Sequence, residues 1–529
     1  MEFDYIVVGG GSAGCVLANR LSENGQFTVL LLEAGGTDHS PVVRIPAGEA
    51  TAIMSDRYNW KYAAEADSTR NGRRDVWPAG KVLGGGSSIN GMMYVRGSRY
   101  DYDNWASLGN PTWSYDRVLP YFKRMETSEI GDDIYRGREG PLCASLTRVP
   151  SKITEAFIAG GVETGIPRND DTNGATQEGI GHSEASQKNG WRHSTAQAYL
   201  RPARNRRNLC VTTKAIVTKV HIENRIATGV DYVKAGQKHT VRCRVEVILS
   251  AGAMASPKLL MLSGIGSGDA LTQMGIEVKL HAPGVGRNLQ EHPGILLFQH
   301  VNIRTLNTEV TPLRIVLHGL NFLFRGRGPA TTSIGHGVAF IRDQPDAPAP
   351  TLQLAFSPIA YDFTPEGVRL YRKPAVMIAV NVCRPNGRGE IRLRSPDPFD
   401  APVIDHRLLA DEGDLQKLIY GGRAARKIFG SHAFSRYSID ERLPGRNVET
   451  DAEWTQYVKD VAFPMYHPCG TCRMGPDDQS VVSEDLRVKG ISGLRVVDAS
   501  IMPVVPSANT NVPTIMVAER ASDLILNNR

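Results

Sequence analysis

At 529 residues, 41% of them apolar and 22% charged, the chain has the make-up of a globular protein and exceeds what one ordinary hydrophobic core organises, so two or more domains are expected. No run of about 18 apolar residues argues for a transmembrane segment. The net charge of +6 includes no block of five or six consecutive basic residues, which argues against nucleic acid as a partner.

The chain opens MEFDYIVVGGGSAGCVLANRLSENG. No basic and apolar leader precedes the strand-like run at residues 5–8, so a cytoplasmic location is expected. Gly9, Gly11 and Gly14 then fit GxGxxG, and the period and terminal glycine of a helix follow. In a strand–turn–helix the first glycine permits the tight turn, the second lets backbone approach a pyrophosphate, and the third lets helix pack on strand. The anion would rest on N–H groups at the helix start. A second apolar strand, FTVLLLEAG, ends in Glu33, placed for its carboxylate to accept hydrogen bonds from adenosine ribose hydroxyls. This order predicts a dinucleotide site for NAD or FAD; the acid disfavours NADP, whose 2′-phosphate it would repel.

Three later stretches are also rich in glycine: WPAGKVLGGGSSINGMMYVRG at residues 77–97, GAMASPKLLMLSGIG at 252–266 and GVGRNLQEH at 284–292. Singly, each reads as a turn-rich loop. The runs TLQLAFSPIA and PAVMIAVNVC are strand-like and are expected to share one antiparallel sheet. Residues 411–430 space their apolar side chains three and four apart, as a half-buried helix does.

Near the C-terminus, YHPCGTCRMG brings His467, Cys469 and Cys472 close together. A structural zinc site wants four soft donors, usually as two spaced pairs, and no second CxxC occurs; a redox dithiol belongs to a different strand–helix context. No metal is expected. The seven cysteines are odd in number and scattered, so reduced thiols are expected and this pair reads best as small packing residues. Taken alone, His467 reads equally well as a core histidine.

Together and in this order, with SANTNVPTIMVAERASDLI at the C-terminus, these segments resemble the glucose–methanol–choline (GMC) family of FAD-dependent oxidoreductases over nearly the whole chain. Choline-dehydrogenase-like and sorbose-dehydrogenase-like bacterial members are nearest in overall pattern, and only residues 302–448 carry no signature. The resemblance implies an α/β fold: a discontinuous Rossmann-like FAD-binding domain (1–160, 200–300 and 460–529) and a substrate domain (161–199 and 301–459) on an antiparallel sheet. It implies Gly9, Gly11, Ser12 and Gly14 at the pyrophosphate, Glu33 and Ala34 at the adenosine end, and Val217 at the adenine. Val82, Asn90, Gly91 and Met93 would run along the isoalloxazine and ribityl chain, Asp498 and Ala499 would return to the cofactor, and Trp60 would touch the flavin edge. Some members attach FAD through a histidine where Ile89 stands here, so non-covalent FAD is expected.

The resemblance also places His467 beside the flavin ring with Asn509 facing the same substrate hydroxyl, Asn511 behind it, and Tyr466 either lining the substrate pocket or packing under the loop. The implied reaction is oxidation of a polyol, sugar or simple alcohol. A neutral imidazole takes the hydroxyl proton, hydride passes to flavin N5, and Asn509 donates a hydrogen bond to the developing oxyanion. Oxygen, a quinone or a dye would accept the electrons; no feature of the sequence sets an oligomeric state. The alternative is a non-redox lyase of the hydroxynitrile lyase type, which binds FAD without using it.

Overall fold

Four consecutive buried residues, Tyr5 to Val8, end strand β1 (Glu2–Val8), as expected of a strand covered on both faces at the centre of a parallel sheet. The computed structural model describes residues 2–364 and 367–527; residues 1, 365, 366, 528 and 529, which fall within the expected spans 1–160, 301–459 and 460–529, lie outside the described residues. β1 pairs in parallel with β2 (Val29–Glu33) on one edge and with the long strand Gln237–Leu249 on the other, and Leu209–Thr213 extends the sheet beyond β2. The far edge of Gln237–Leu249 changes partner along its length. Its first half pairs antiparallel with Ile226–Lys234, itself paired with Ala215–Glu223, while its last residues pair in parallel with Leu494–Val496. The C-terminal part of the chain thus returns to the sheet that the N-terminus begins.

Helix α1 (Ser12–Ser22) starts directly after the glycine turn. Its Arg20 donates to buried Glu519 on the C-terminal helix Asn511–Asn527 at 3.1 and 2.9 Å, and Tyr199 donates to the same carboxylate at 2.7 Å.

The second sheet is antiparallel, in the order Ser438–Leu443, Pro293–Val301, Ala375–Val382, Leu352–Ser357, Gly337–Ile341, Gly179–His182. The two strand-like runs of the sequence pair as expected, Leu354 opposite Val380. Strand alternation gives this sheet two uses. Leu352, Leu354 and Phe356, with Val376, Ile378 and Val380, point into a core under helix Glu412–Gly430. Ala355, Ser357, Met377 and Ala379 point the other way and line a cavity. Helix Glu412–Gly430 begins one residue inside the expected 411–430 because Asp411 is its cap, accepting from the Asp414 N–H at 3.1 Å. Helix Lys152–Glu163 packs in this second core, whereas Ile391, Leu393 and Ile404 pack in the first, around the parallel sheet.

Candidate active site

A cavity of about 1130 Å³ runs between the parallel sheet and the antiparallel one, larger than the roughly 300–1,000 Å³ of ordinary ligand pockets. Of the residues singled out in the sequence, Gly9, Gly11, Ser12, Glu33, Ala34, Trp60, Asn90, Gly91, Met93, Val217, Tyr466, His467, Asp498, Ala499 and Asn509 line it. Gly14 and Val82 do not. A Cβ on Gly14 would lie 1.8 Å from the Gly9 carbonyl oxygen, so Gly14 serves the close approach of helix to strand. Val82 is fully buried among Val43, Ala52, Tyr58 and Ile89.

Backbone makes the cradle. Gly9 has φ +99°, and a Cβ there would meet the Ser250 carbonyl oxygen at 2.5 Å. Gly85, from the GGGSSIN stretch, faces Gly11 so closely that a Cβ on it would fall 2.7 Å from the Gly11 Cα. Ser12 donates to Asn511 Oδ1 at 2.7 Å, which ties the two helix starts together at the cavity wall. Glu33 is buried; its carboxylate accepts from the N–H groups of Gly35 (2.6 Å) and Gly10 (2.8 Å), yet burial outweighs them and pushes it up to about 7. Asp498 accepts from Ser256 Oγ (2.6 Å) and from the N–H groups of Gly252 and Ser500 (2.8 Å each), which fixes the return strand to helix Gly252–Leu262. Asn90 Oδ1 accepts from Arg192 at 2.9 Å, and a Cβ on Gly91 would strike the Ile334 side chain at 2.4 Å. Trp60 stacks on Tyr62 with ring centroids 5.9 Å apart, and the Lys81 ammonium lies 4.6 Å from its ring.

At the other end His467 is nearly buried, 9% exposed, and sits in a chain of polar side chains from four segments. Asn509 Oδ1 accepts from Gln353 at 3.3 Å, which leaves the Asn509 amide N–H to donate to His467 Nε2 at 3.0 Å. Nε2 is therefore the nitrogen that carries the lone pair, held by the Asn509 amide, and the proton sits on Nδ1, which donates to His292 Nδ1 at 2.9 Å. The two imidazoles meet edge to face, with centroids 5.1 Å apart. Burial, and then the neighbouring His292, hold His467 well below its ordinary value; burial pushes His292 down to about 4. Both shifts favour the neutral ring. Below them the buried Glu291 carboxylate accepts the backbone N–H groups of His467 (2.8 Å to each oxygen) and His292 (2.8 Å), while burial drives its own protonation well up. Tyr466, directly before the base, has φ +66°, an uncommon conformation for a bulky residue, of the kind that clusters at functional sites.

His292, Glu291 and Gln353 were not singled out from the sequence. The first two lie in GVGRNLQEH, where the glycines and not the acid or the histidine carry the pattern; Gln353 had no local signal, being one of two polar residues on the site-facing side of a mostly apolar strand. Cys469 and Cys472 are buried free thiols in the first core, and among the described residues no group of three or more His, Cys, Asp or Glu is placed to hold a metal ion.

The family models described as GMC oxidoreductase match residues 3–294 and 385–518. The chain belongs to the GMC oxidoreductase family. It is 41% identical over 530 residues to an oxygen-dependent choline dehydrogenase of Vibrio vulnificus, covering 99% of this chain and 94% of that one, and 41% identical over 534 residues to the mitochondrial choline dehydrogenase of Homo sapiens, covering 99% and 90%. Among solved structures it is similar to pyridoxine 4-oxidase from Mesorbium loti, with a TM-score of 0.88 and 29% identity over 98% of both chains. Formate oxidase from Aspergillus oryzae RIB40, described in terms of its FAD modification, matches with a TM-score of 0.92 and 26% identity over 100% of this chain and 98% of that one. The protein is a choline-dehydrogenase-like FAD oxidoreductase acting on CH–OH donors. None of these relatives supports the lyase alternative.

Proposed function

We propose that the protein oxidises a small primary or secondary alcohol to the aldehyde or ketone, with His467 Nε2 as the base. What supports this most directly is the 3.0 Å hydrogen bond from the Asn509 amide to His467 Nε2 at the cavity wall, which keeps a basic lone pair and a hydrogen-bond donor side by side there. A hydroxyl that displaces this hydrogen bond gives its proton to Nε2, and the released amide N–H steadies the oxygen as negative charge grows there. Bound FAD supplies the acceptor for the hydride that leaves the carbinol carbon. Gly9, Gly11 and Ser12 would hold its pyrophosphate, Glu33 and Val217 its adenosine, and the 90–93 segment its ring. Ile89 stands where a tethering histidine would have to be, so the cofactor is held without a covalent bond. The parallel sheet and its core form the cofactor domain, and the antiparallel sheet forms the substrate roof.

Leu296, Ile334, Ala355, Met377, Ala379 and Met465 line the cavity from the roof side, which favours a simple alcohol with an apolar substituent over a polyol. Choline is the first substrate to test. The relatives named for it are 41% identical, and the rings of Tyr466, Tyr361 and Phe463 line the same cavity, where a trimethylammonium group can rest on aromatic faces.

Anaerobic mixing of the yellow holoenzyme with an alcohol panel, choline included, should bleach the oxidised flavin. His467→Ala should slow that bleaching ~10²- to 10⁴-fold with the cofactor still bound. Reduction at the wild-type rate in the variant would remove His467 as the base. Peroxide formation under air separates oxygen from a quinone or dye as the acceptor, and colour left in an acid-precipitated pellet would contradict the non-covalent cofactor.

A further inference from the structure

Helix Pro312–Arg325 turns most of its apolar side chains outward. Thr311, Pro312 at its first position and Gly326 at φ +59° bound it, so its ends are set by local sequence. Leu313, Val316, Leu317, Leu320, Leu323 and Phe324 recur at three- and four-residue spacing and so share one side of the helix. That side faces outward: the six are 72, 59, 54, 47, 65 and 83% exposed. The inner side holds one buried apolar residue, Phe322 against Trp191, and otherwise the half-buried polar residues Arg314, His318 and Asn321. Glu309 accepts from His318 at 3.0 Å and from Arg314, and Asn321 donates to the Arg327 carbonyl oxygen at 3.0 Å. An ordinary surface helix has the opposite arrangement.

Two further observations say what covers this face. Val310 and Ile315 line the cavity and are still 50% and 56% exposed, so the cavity opens to the outside beside this helix. The helix also ends in exposed cations, Arg325 and Arg327, with no acidic partner among the described residues, and between residues 302 and 331 the one acid, Glu309, is already engaged. An aliphatic and phenyl face edged by arginine is the composition of a helix that lies in the interface of a bilayer with anionic headgroups. Among the described residues no helix is long and apolar enough to cross a membrane, so the contact is lateral.

We propose that the outer face of helix Pro312–Arg325 docks on an anionic phospholipid bilayer, seating the cavity opening at the membrane surface. The holoenzyme should float with vesicles of mixed phosphatidylglycerol and phosphatidylcholine. The triple variant Leu317→Glu, Leu320→Glu, Phe324→Glu should bind them about a hundredfold more weakly. The pair Arg325→Gln, Arg327→Gln should lose about fivefold per charge on anionic vesicles and little on pure phosphatidylcholine. None of these five side chains lines the cavity, so flavin reduction by a soluble alcohol without vesicles should be unchanged in both variants and shows that they fold. The proposal fails if the wild type stays unbound to anionic vesicles, or if the triple variant floats equally well. It also fails if light scattering shows a wild-type dimer that the triple variant dissolves without any vesicle binding, because a second copy of the chain then covers the face.

Discussion

The two ends of the cavity are built on different principles. At the nucleotide end the material is backbone: Gly9, Gly14 and Gly85 allow strands, helix and loop to approach within distances that any side chain would forbid, and the acid Glu33 takes hydrogen bonds from residues two and 23 positions away. At the reactive end the material is side chains from Gln353, Asn509, His467 and His292, joined across 156, 42 and 175 positions. The first end depends on the absence of atoms and tolerates nothing added. The second depends on atoms held in a particular direction, and it degrades by steps.

The sharpest way to break the contrast is Gly14→Val. Its Cβ would sit 1.8 Å from the Gly9 carbonyl oxygen, and both groups belong to backbone pinned between β1 and α1, so nothing flexible can yield. The expected outcome is loss of holoenzyme altogether, read as absent flavin absorbance in whatever protein stays soluble. Recovery of a yellow, active variant would mean that the cradle has slack that the glycine contacts deny.

The same contrast explains what the sequence made legible. Strand, glycine turn, helix, strand and Glu33 are contiguous, so their physics is written in spacing, and β1, α1 and β2 appear where expected. The edge-switching strand Gln237–Leu249 was legible only at its apolar end, which lies between β1 and Leu494–Val496; its first half is largely polar and pairs with the neighbouring strand Ile226–Lys234. At the reactive end His467 and Asn509 came from resemblance, and what their neighbourhood does chemically did not. The tautomer of His467 is set by His292 and by the orientation of Asn509, and that in turn by Gln353, all of them contacts that form only when the two sheets close on one another. Helix Pro312–Arg325 carries a plain amphipathic period, but a period does not say which side faces out.

A smaller effect is expected from pH. His292 is held down at about 4 by burial, whereas in the unfolded chain it titrates at its ordinary value near ~6.5. Above that value both states carry a neutral ring and the group adds no pH dependence. As pH falls below ~6.5 the unfolded chain takes up the proton and the folded one does not, so stability declines until about 4, by up to ~3 kcal/mol. His467, depressed for the same reason, acts in the same direction. Urea unfolding at a series of pH values should therefore show a shallower acid-side slope in His292→Asn than in the wild type. Parallel slopes would place the His292 proton equilibrium elsewhere.

Smallest, and most specific to directed side chains, is Gln353→Leu. Gln353 touches neither the base nor the cavity; it donates to Asn509 Oδ1 at 3.3 Å and so decides which end of that amide faces His467. Without it the amide can turn, presenting its oxygen to Nε2, and an acceptor there favours the tautomer that has no lone pair for the substrate proton. One neutral hydrogen bond is worth about 1 kcal/mol net, so kcat/KM should fall about fivefold, with the loss in kcat and not in KM. The double variant is the stricter test. If Gln353 acts only through Asn509, then Gln353→Leu placed on Asn509→Ala should cost almost nothing more, whereas a loss that simply adds would show that Gln353 holds the strand and not the amide.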